Sequence, residues 1–329
     1  MRSLKILILL LATTTIFHSC KKEIELNTEW KDVTIVYGIL NQLDSIHYIK
    51  VTKAFLGPGN ALQYAQIPDS SNYPYKMEVS LEAWNSTNQV AVYRFDTTTI
   101  HNKDSGQFYF PNQMTYTNDS SLDPIYHYKL IIRNPQTQKE ILSETALVRD
   151  FTVERPFNYQ AISFDPGKIS KVEWVSAEGG RLYQVIVRFY YLETSKQNPS
   201  QSVEKYVDWE IVSRKISKND LGGEEIVESY DNDGFYSLLH AKIPVDPDVD
   251  RVARILRYYF IVAAEDLQTY IEVSQPSNSI VQEKPAYSNI DNGIGLFSAR
   301  FVKTVDSIQL SQRTKDEIRA NDLTKDLGF

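Results

Sequence analysis

The chain has 329 residues, 42% apolar and 23% charged, enough for two domains with full cores. Its formal charge of −7 argues against nucleic acid and against adsorption to anionic headgroups, since both depend on clustered Lys and Arg. Tyrosine is frequent, at 21 against 13 Gly and 13 Pro, and aromatic residues suit half-buried pleated strands.

In chain order, the first nineteen residues come as a basic head at Arg2 and Lys5, an apolar run from Ile6 to Ala12, and a polar neck ending at Ser19. The run has the length of a secretory h-region and falls well short of the roughly 20 residues of a spanning helix. Cys20, the only cysteine, follows directly. Together these residues resemble a bacterial lipoprotein signal, which implies cleavage before Cys20 and acylation of its sulfur; an ordinary secretory leader is the alternative. Phe17 and His18 depart from that motif, which prefers an aliphatic and a small residue there. Cleavage removes two basic residues and no acidic one, for a mature charge of −9. A lipidated Cys20 leaves no thiol for disulfides, zinc or nucleophilic chemistry. Residues 20–31 read as a tether. Its Lys21-Lys22-Glu23 resembles the tag that directs some lipoproteins to the outer face of the outer membrane, and a solvated linker is the other reading.

Residues 32–150 predict a β-sandwich domain. Val33–Leu40 and Ile46–Lys53 are strands joined by the polar Asn41-Gln-Leu-Asp44, a hairpin in which Ile46, Tyr48 and Val51 are expected to face inward. Leu56–Tyr75, punctuated by Gly57-Pro58-Gly59, Pro68 and Pro74, is expected to be a long loop, and long loops in compact domains are often functional. Further strands are expected at Met77–Trp84, Val90–Phe95, Gln107–Phe110, Tyr126–Arg133 and Glu140–Val148. In the fourth of these Tyr126, Tyr128, Leu130 and Ile132 alternate on one face.

Residues 151–280 predict a second β domain. Its strands are Lys171–Ser176 with Val172 and Trp174 in phase, Leu182–Leu192 with Tyr183, Val185, Val187 and Phe189 in phase, Glu204–Lys215, Glu224–Tyr230 and Arg254–Ala264. Thr269–Ser274 is expected to close a hairpin. A Trp-bearing strand, a long Tyr-bearing strand and then Tyr259-Phe-Ile-Val-Ala263 resemble a fibronectin type III sandwich, which implies that the Trp and the late Tyr pack between two sheets. Residues 281–329 form a C-terminal extended segment that turns at Asp291-Asn-Gly293, resumes as a strand through Phe301, and ends in a short helix with a capping box at Thr314-Lys-Asp-Glu317. The fold class expected is therefore all-β, two β-sandwich domains with a short terminal helix. Cys20, Val36-Tyr-Gly-Ile-Leu40, Lys53-Ala-Phe-Leu56, Tyr287-Ser-Asn-Ile290 and Gly295-Leu-Phe297 resemble, taken together, a large family of bacterial outer-membrane lipoproteins of unknown function. Its members often accompany TonB-dependent transporters, and it supplies no catalytic residue to carry over.

No assembled catalytic motif is present: there is no Gly-x-Ser-x-Gly elbow, and Gly179-Gly180 and Gly222-Gly223 are too short to cradle phosphate. Four histidines remain in the mature chain, His47, His101, His127 and His240, none at metal-ligand spacing, with His47 and His127 expected on solvated strand faces. Asp231-Asn-Asp-Gly234 has the core of a calcium loop, but His240 stands where the bidentate Glu is required, so it reads as a turn. Asp246, Asp248 and Asp250 alternate and could gather oxygen ligands for calcium, although Pro247 and Arg251 suit an exposed, charge-paired loop better. Tyr64, Tyr73 and Tyr75 in the long loop, and Tyr190 and Tyr191 with opposite facings on their strand, are the candidate ligand-binding aromatics, with loop packing and strand propensity as the other reading. No cofactor is implied. The expectation is a non-catalytic, lipid-anchored outer-membrane protein, on either face, that binds a ligand or partners a TonB-dependent transporter. The alternative is a glycosidase-like surface hydrolase with a carboxylate pair assembled by the fold.

Overall fold

The computed structural model describes residues 33–54, 61–275 and 286–329, and the fold is all-β, layered as sandwiches with a short terminal helix. The first half runs β1 (Thr34–Leu40), β2 (His47–Lys53), two short helices α1 (Ala61–Ala65) and α2 (Pro68–Ser71), then β3 (Glu78–Trp84), β4 (Gln89–Ile100), β5 (Gln113–Asn118), β6 (His127–Arg133) and β7 (Glu140–Ala146). Strand β4 joins its two layers: Gln89–Phe95 pairs with β3, and Asp96–Ile100 pairs with β5. The outer strand β7 returns to the segment before the last strand, where Leu142 and Asp291 exchange backbone bonds of 3.2 and 2.8 Å. An edge that would otherwise offer unpaired N–H and C=O groups is covered there.

The β1–β2 hairpin forms at the polar turn, with Asn41 Nδ2 donating to Asp44 Oδ1 at 2.8 Å. Val51 faces inward as expected, but Ile46 and Tyr48 do not. His47, Ile49 and Val51 face the core, while Ile46 and Tyr48 are exposed. Gly38 lies opposite Ile49, whose side chain fills the space a Gly38 Cβ would need. That complementarity selects the inward face, because a one-residue slip would turn every side chain over. No strand forms at Gln107–Phe110.

The second half contains β8 (Val153–Arg155), β9 (Ala161–Ile162), β10 (Ile169–Val175), β11 (Leu182–Ser195), β12 (Ser202–Ile216), β13 (Glu225–Asp231), α3 (Asp233–Lys242), β14 (Val249–Ala263), α4 (Glu265–Ser274), β15 (Gly293–Leu310) and α5 (Gln312–Ala320). A three-stranded sheet, β13-β10-β8, faces β12-β11-β14-β15. Between them Trp174 meets Tyr183 at 5.7 Å and Phe260 at 5.6 Å, tilted and edge-to-face, arrangements that add to the apolar burial. Tyr258, not Tyr259, is the late tyrosine that turns inward. Two helices occupy places expected to be turn and strand. Helix α3 begins at the Asp231-Asn-Asp-Gly stretch and buries Phe235, Tyr236 and Leu239; α4 replaces the expected hairpin over residues 265–274. Helix α5 is capped by Ser311, whose Oγ accepts from Thr314 N at 3.2 Å, so the cap precedes the expected box.

Strand β15 continues past Phe301 to Leu310 and belongs to both halves. Gly293–Ala299 pairs parallel with Thr34–Leu40, and Arg300–Gln309 pairs antiparallel with β14. Its entry is fixed by the Tyr287-Ser-Asn stretch: Asn289 accepts from Phe297 N at 3.0 Å, and Ser288 Oγ accepts from Gly295 N at 3.1 Å. Gly295 has φ +126°, and a Cβ there would lie 1.9 Å from the Val36 carbonyl oxygen. Gly295→Ala is expected to destabilise the protein by about 3 kcal/mol, from strain and overpacking together. Gly106→Ala, with open space around it, is expected to change stability by no more than about 0.5 kcal/mol. Urea unfolding of both variants checks this, and equal midpoints would refute it.

Candidate functional site

Alternation in β1 and β2 sends Thr34, Val36, Ile49 and Val51 into the core, so their neighbours face outward. Ile35 pairs across the strands with Thr52, and Tyr37 with Lys50. These outward residues floor a cavity of about 390 Å³, within the size range of small-ligand sites. Helix α2 and the 103–113 segment form its walls, with Lys103, Phe108 and Tyr109 leaning over the floor. Lys50, Lys53 and Lys103 line it, and among the described residues no carboxylate does.

Each of these charges has a definite setting. Lys103 Nζ donates to the Tyr109 carbonyl at 2.6 Å, which fixes it at the wall, and it also lies 5.9 Å from the Phe108 ring centre. Burial lowers the Lys50 pKa, and the Lys103 charge lowers it further. No Asp or Glu among the described residues lies within ion-pair distance of any of the three lysines. Tyr37, at the rim, meets Tyr270 of α4 edge-on at 6.3 Å. Its pKa is pushed up to about 12 by the hydrogen bond to Tyr270 and by burial. The arrangement can therefore accept negative charge at its lysines and apolar surface on the Ile35, Tyr37 and Phe108 side chains beside them.

The loop singled out by its Tyr content borders this cavity through Pro68, Ser71 and Asn72, but its tyrosines are placed elsewhere. Tyr73 is buried, hydrogen-bonded to Thr34 Oγ1 at 2.8 Å and packed on Tyr75 at 5.6 Å. Tyr75 accepts from Asn134 Nδ2 at 3.0 Å, and Tyr64 sits half-buried on α1. None of the three is among the cavity's lining residues. Cys20 lies outside the described residues.

The aspartate triplet is not gathered. Asp246 accepts from the Asp248 backbone N–H at 2.9 Å, an Asx turn, and Asp250 pairs with Lys196 at 3.5 Å. Among the described residues no group of three or more His, Cys, Asp or Glu is placed to hold a metal ion. An acidic cleft of about 600 Å³ runs beside Glu140, Glu144, Asp266 and Asp291. There Asp266 takes bonds from Tyr287 and Asn289, Glu140 pairs with Arg133, and Glu144 lies 3.5 Å from His127, so three of the four carboxylates already have partners within the chain.

Tyr190 lies on a separate exposed face. Arg188 stacks on Tyr206 at 3.9 Å and bonds Asp208 through two nitrogens, while Arg257 does the same with Asp306 and lies over Tyr190 at 5.4 Å. Its charges are satisfied within the ladder. In comparisons with known proteins, no family model matches the chain, and no curated protein matches it significantly.

His47 is 2% exposed, a correction to the solvated face expected for it. Nε2 meets the Ser120 carbonyl at 3.0 Å, and Nδ1 has no hydrogen-bond partner among the described residues. Burial holds its pKa below the ordinary 6.5, outweighing the Ser120 carbonyl and Asp44, which pull upward. The unfolded chain therefore takes up this proton first. The stability linked to it is present above about pH 6.5 and is lost as pH falls below that value. Between pH 7 and 5.5 the Tm is expected to fall more steeply in the native protein than in His47→Gln. Parallel Tm curves would show that His47 carries no linkage.

Proposed function

We propose that this chain is a lipid-anchored protein of the outer membrane that captures a small ligand in the lysine-lined cavity. Two independent features support the reading. The leader and Cys20 supply the address, and acyl chains on one sulfur, with a second signal such as a further chain, give stable membrane attachment without a spanning helix. The cavity supplies the activity, and it carries the reading. It sets apolar side chains, Ile35, Tyr37 and Phe108, beside the ammonium groups of Lys50 and Lys53 on the β1–β2 hairpin and of Lys103 on the facing wall, in a chain whose overall charge is −7. Proteins with this resemblance often accompany a TonB-dependent transporter, and we assign the same partnership to this chain, handing ligand to or from the barrel.

Labelled palmitate is expected to enter the native protein and not Cys20→Ala, which should move from the membrane fraction to the soluble one. Label retained by Cys20→Ala would refute the anchor. For the cavity, native mass spectrometry of the full chain in detergent, extracted from its own membranes, is expected to show about one small molecule per chain. That adduct is expected to be lost in Thr52→Trp, which fills the floor. An adduct of the same mass and occupancy in both proteins would place ligand capture elsewhere.

A further inference from the structure

The charge of the cavity runs against the charge of the chain. Acidic residues outnumber basic ones, 42 to 35, yet the lining holds three lysines and, among the described residues, no acid. Elsewhere the described lysines and arginines are commonly paired: Lys76 with Asp96, Lys205 with Glu193, Lys215 with Glu228 and Lys303 with Asp150. In a concave site with low-dielectric walls, charges of one sign focus the field and concentrate counter-ions. Two ammonium groups brought close under partial burial destabilise each other, and an arriving anion removes that penalty.

The lining also sets what the rest of the ligand is. Ile35, Phe108 and Tyr37 present apolar surface beside the lysines, and Phe108 is 52% exposed despite its place at the wall. A bare inorganic ion would leave that surface wet. The lysines act as point charges without the planar fork of arginine, so they suit a compact head and do not demand a flat carboxylate. The volume of about 390 Å³ fits a single small molecule and not a polymer segment.

We infer that the cavity takes a small organic anion, its compact carboxylate or phosphate head held between Lys50 and Lys103 and its apolar body lying on Ile35 and Phe108. This rests on the reading that the cavity is the ligand site. Isothermal titration of the detergent-purified full chain with four probes tests it: phenyl phosphate and benzoate carry head and body, inorganic phosphate carries the head alone, and benzyl alcohol carries the body alone. At least one of the two head-and-body probes is expected to bind tenfold or more tighter than either partial probe, and the tighter of the two identifies the head. Lys50→Gln and Lys103→Gln are each expected to weaken that probe about tenfold, and Lys50→Gln, which relieves the repulsion, is expected not to lower the Tm. Lys242→Gln, exposed at the end of α3, is expected to have no effect, and raising the salt to screen the charges should weaken binding. Benzyl alcohol binding as tightly as the anions, and lost in Thr52→Trp, would leave the cavity as the ligand site and overturn the anionic class. Anion binding indifferent to Lys50→Gln and Lys103→Gln would also overturn it. Failure of all four probes to bind would overturn both readings.

Discussion

One strand, β15, holds the two halves of the molecule to a common backbone. Its first seven residues are the parallel partner of β1, and the remainder is the antiparallel partner of β14. Five consecutive residues, Gly295 to Ala299, are buried, as expected of a strand covered on both faces. Ser298 is the one polar side chain among them, and its Oγ accepts from Leu267 N at 3.1 Å at the start of α4. Because β1 lies near one end of the described chain and β15 near the other, closure of the first half waits for the last strand. Such non-local pairing is slow. Until it happens, β1 presents an unpaired edge of the kind that seeds aggregation.

The candidate site depends on the same pairing. With β15 on one side and β2 on the other, β1 is a central strand, and the outward residues of the hairpin are held at fixed spacing. Lys50 and Tyr37 face each other across the two strands, and the 103–113 segment needs only to fold over a floor that is already rigid. A site placed on paired strands is held more tightly than one on loops alone. The long segment after β2 contributes one wall through α2, while its Tyr73 serves the core.

Where one strand face was apolar and the other largely polar, the sequence pattern and the structure agree, as for Tyr128, Leu130 and Ile132 on β6. The pattern misled where both faces carry large apolar groups. In β2 the choice between Ile46 with Tyr48 and His47 with Ile49 is made by Gly38 on the neighbouring strand, which no local window contains. In β14 the run Tyr258-Tyr-Phe-Ile-Val offers both phases equally, and packing against Trp174 decides. Helices α3 and α4 each begin in acidic, turn-like residues, and α3 betrays itself only by Phe235 and Leu239 one turn apart. The cavity was least legible. Lys50 and Lys103 are far apart in sequence and belong to no motif, and Phe108-Tyr109 read as strand residues because their aromatic character is shared by strands and binding surfaces.

Two surfaces compete as the working face, and their electrostatics separate them. The ladder of Arg188, Tyr206, Asp208, Arg257 and Asp306 is rich in the residue types that favour interfaces, but each guanidinium already has a carboxylate and a ring. Exposed pairs of that kind contribute about 0–1 kcal/mol each, and their neutralised charge offers a partner little to attract it. The cavity lysines are in the opposite condition. Lys50 loses hydration to burial, feels the repulsion of Lys103 and has no carboxylate among the described residues within ion-pair distance. Folding alone gains nothing from placing cations there, since an apolar or acidic substitution would relieve the repulsion. Like charges brought together against the needs of folding mark functional positions more often than structural ones, and on that ground the cavity lysines, with no carboxylate among the described residues beside them, outrank the satisfied ladder.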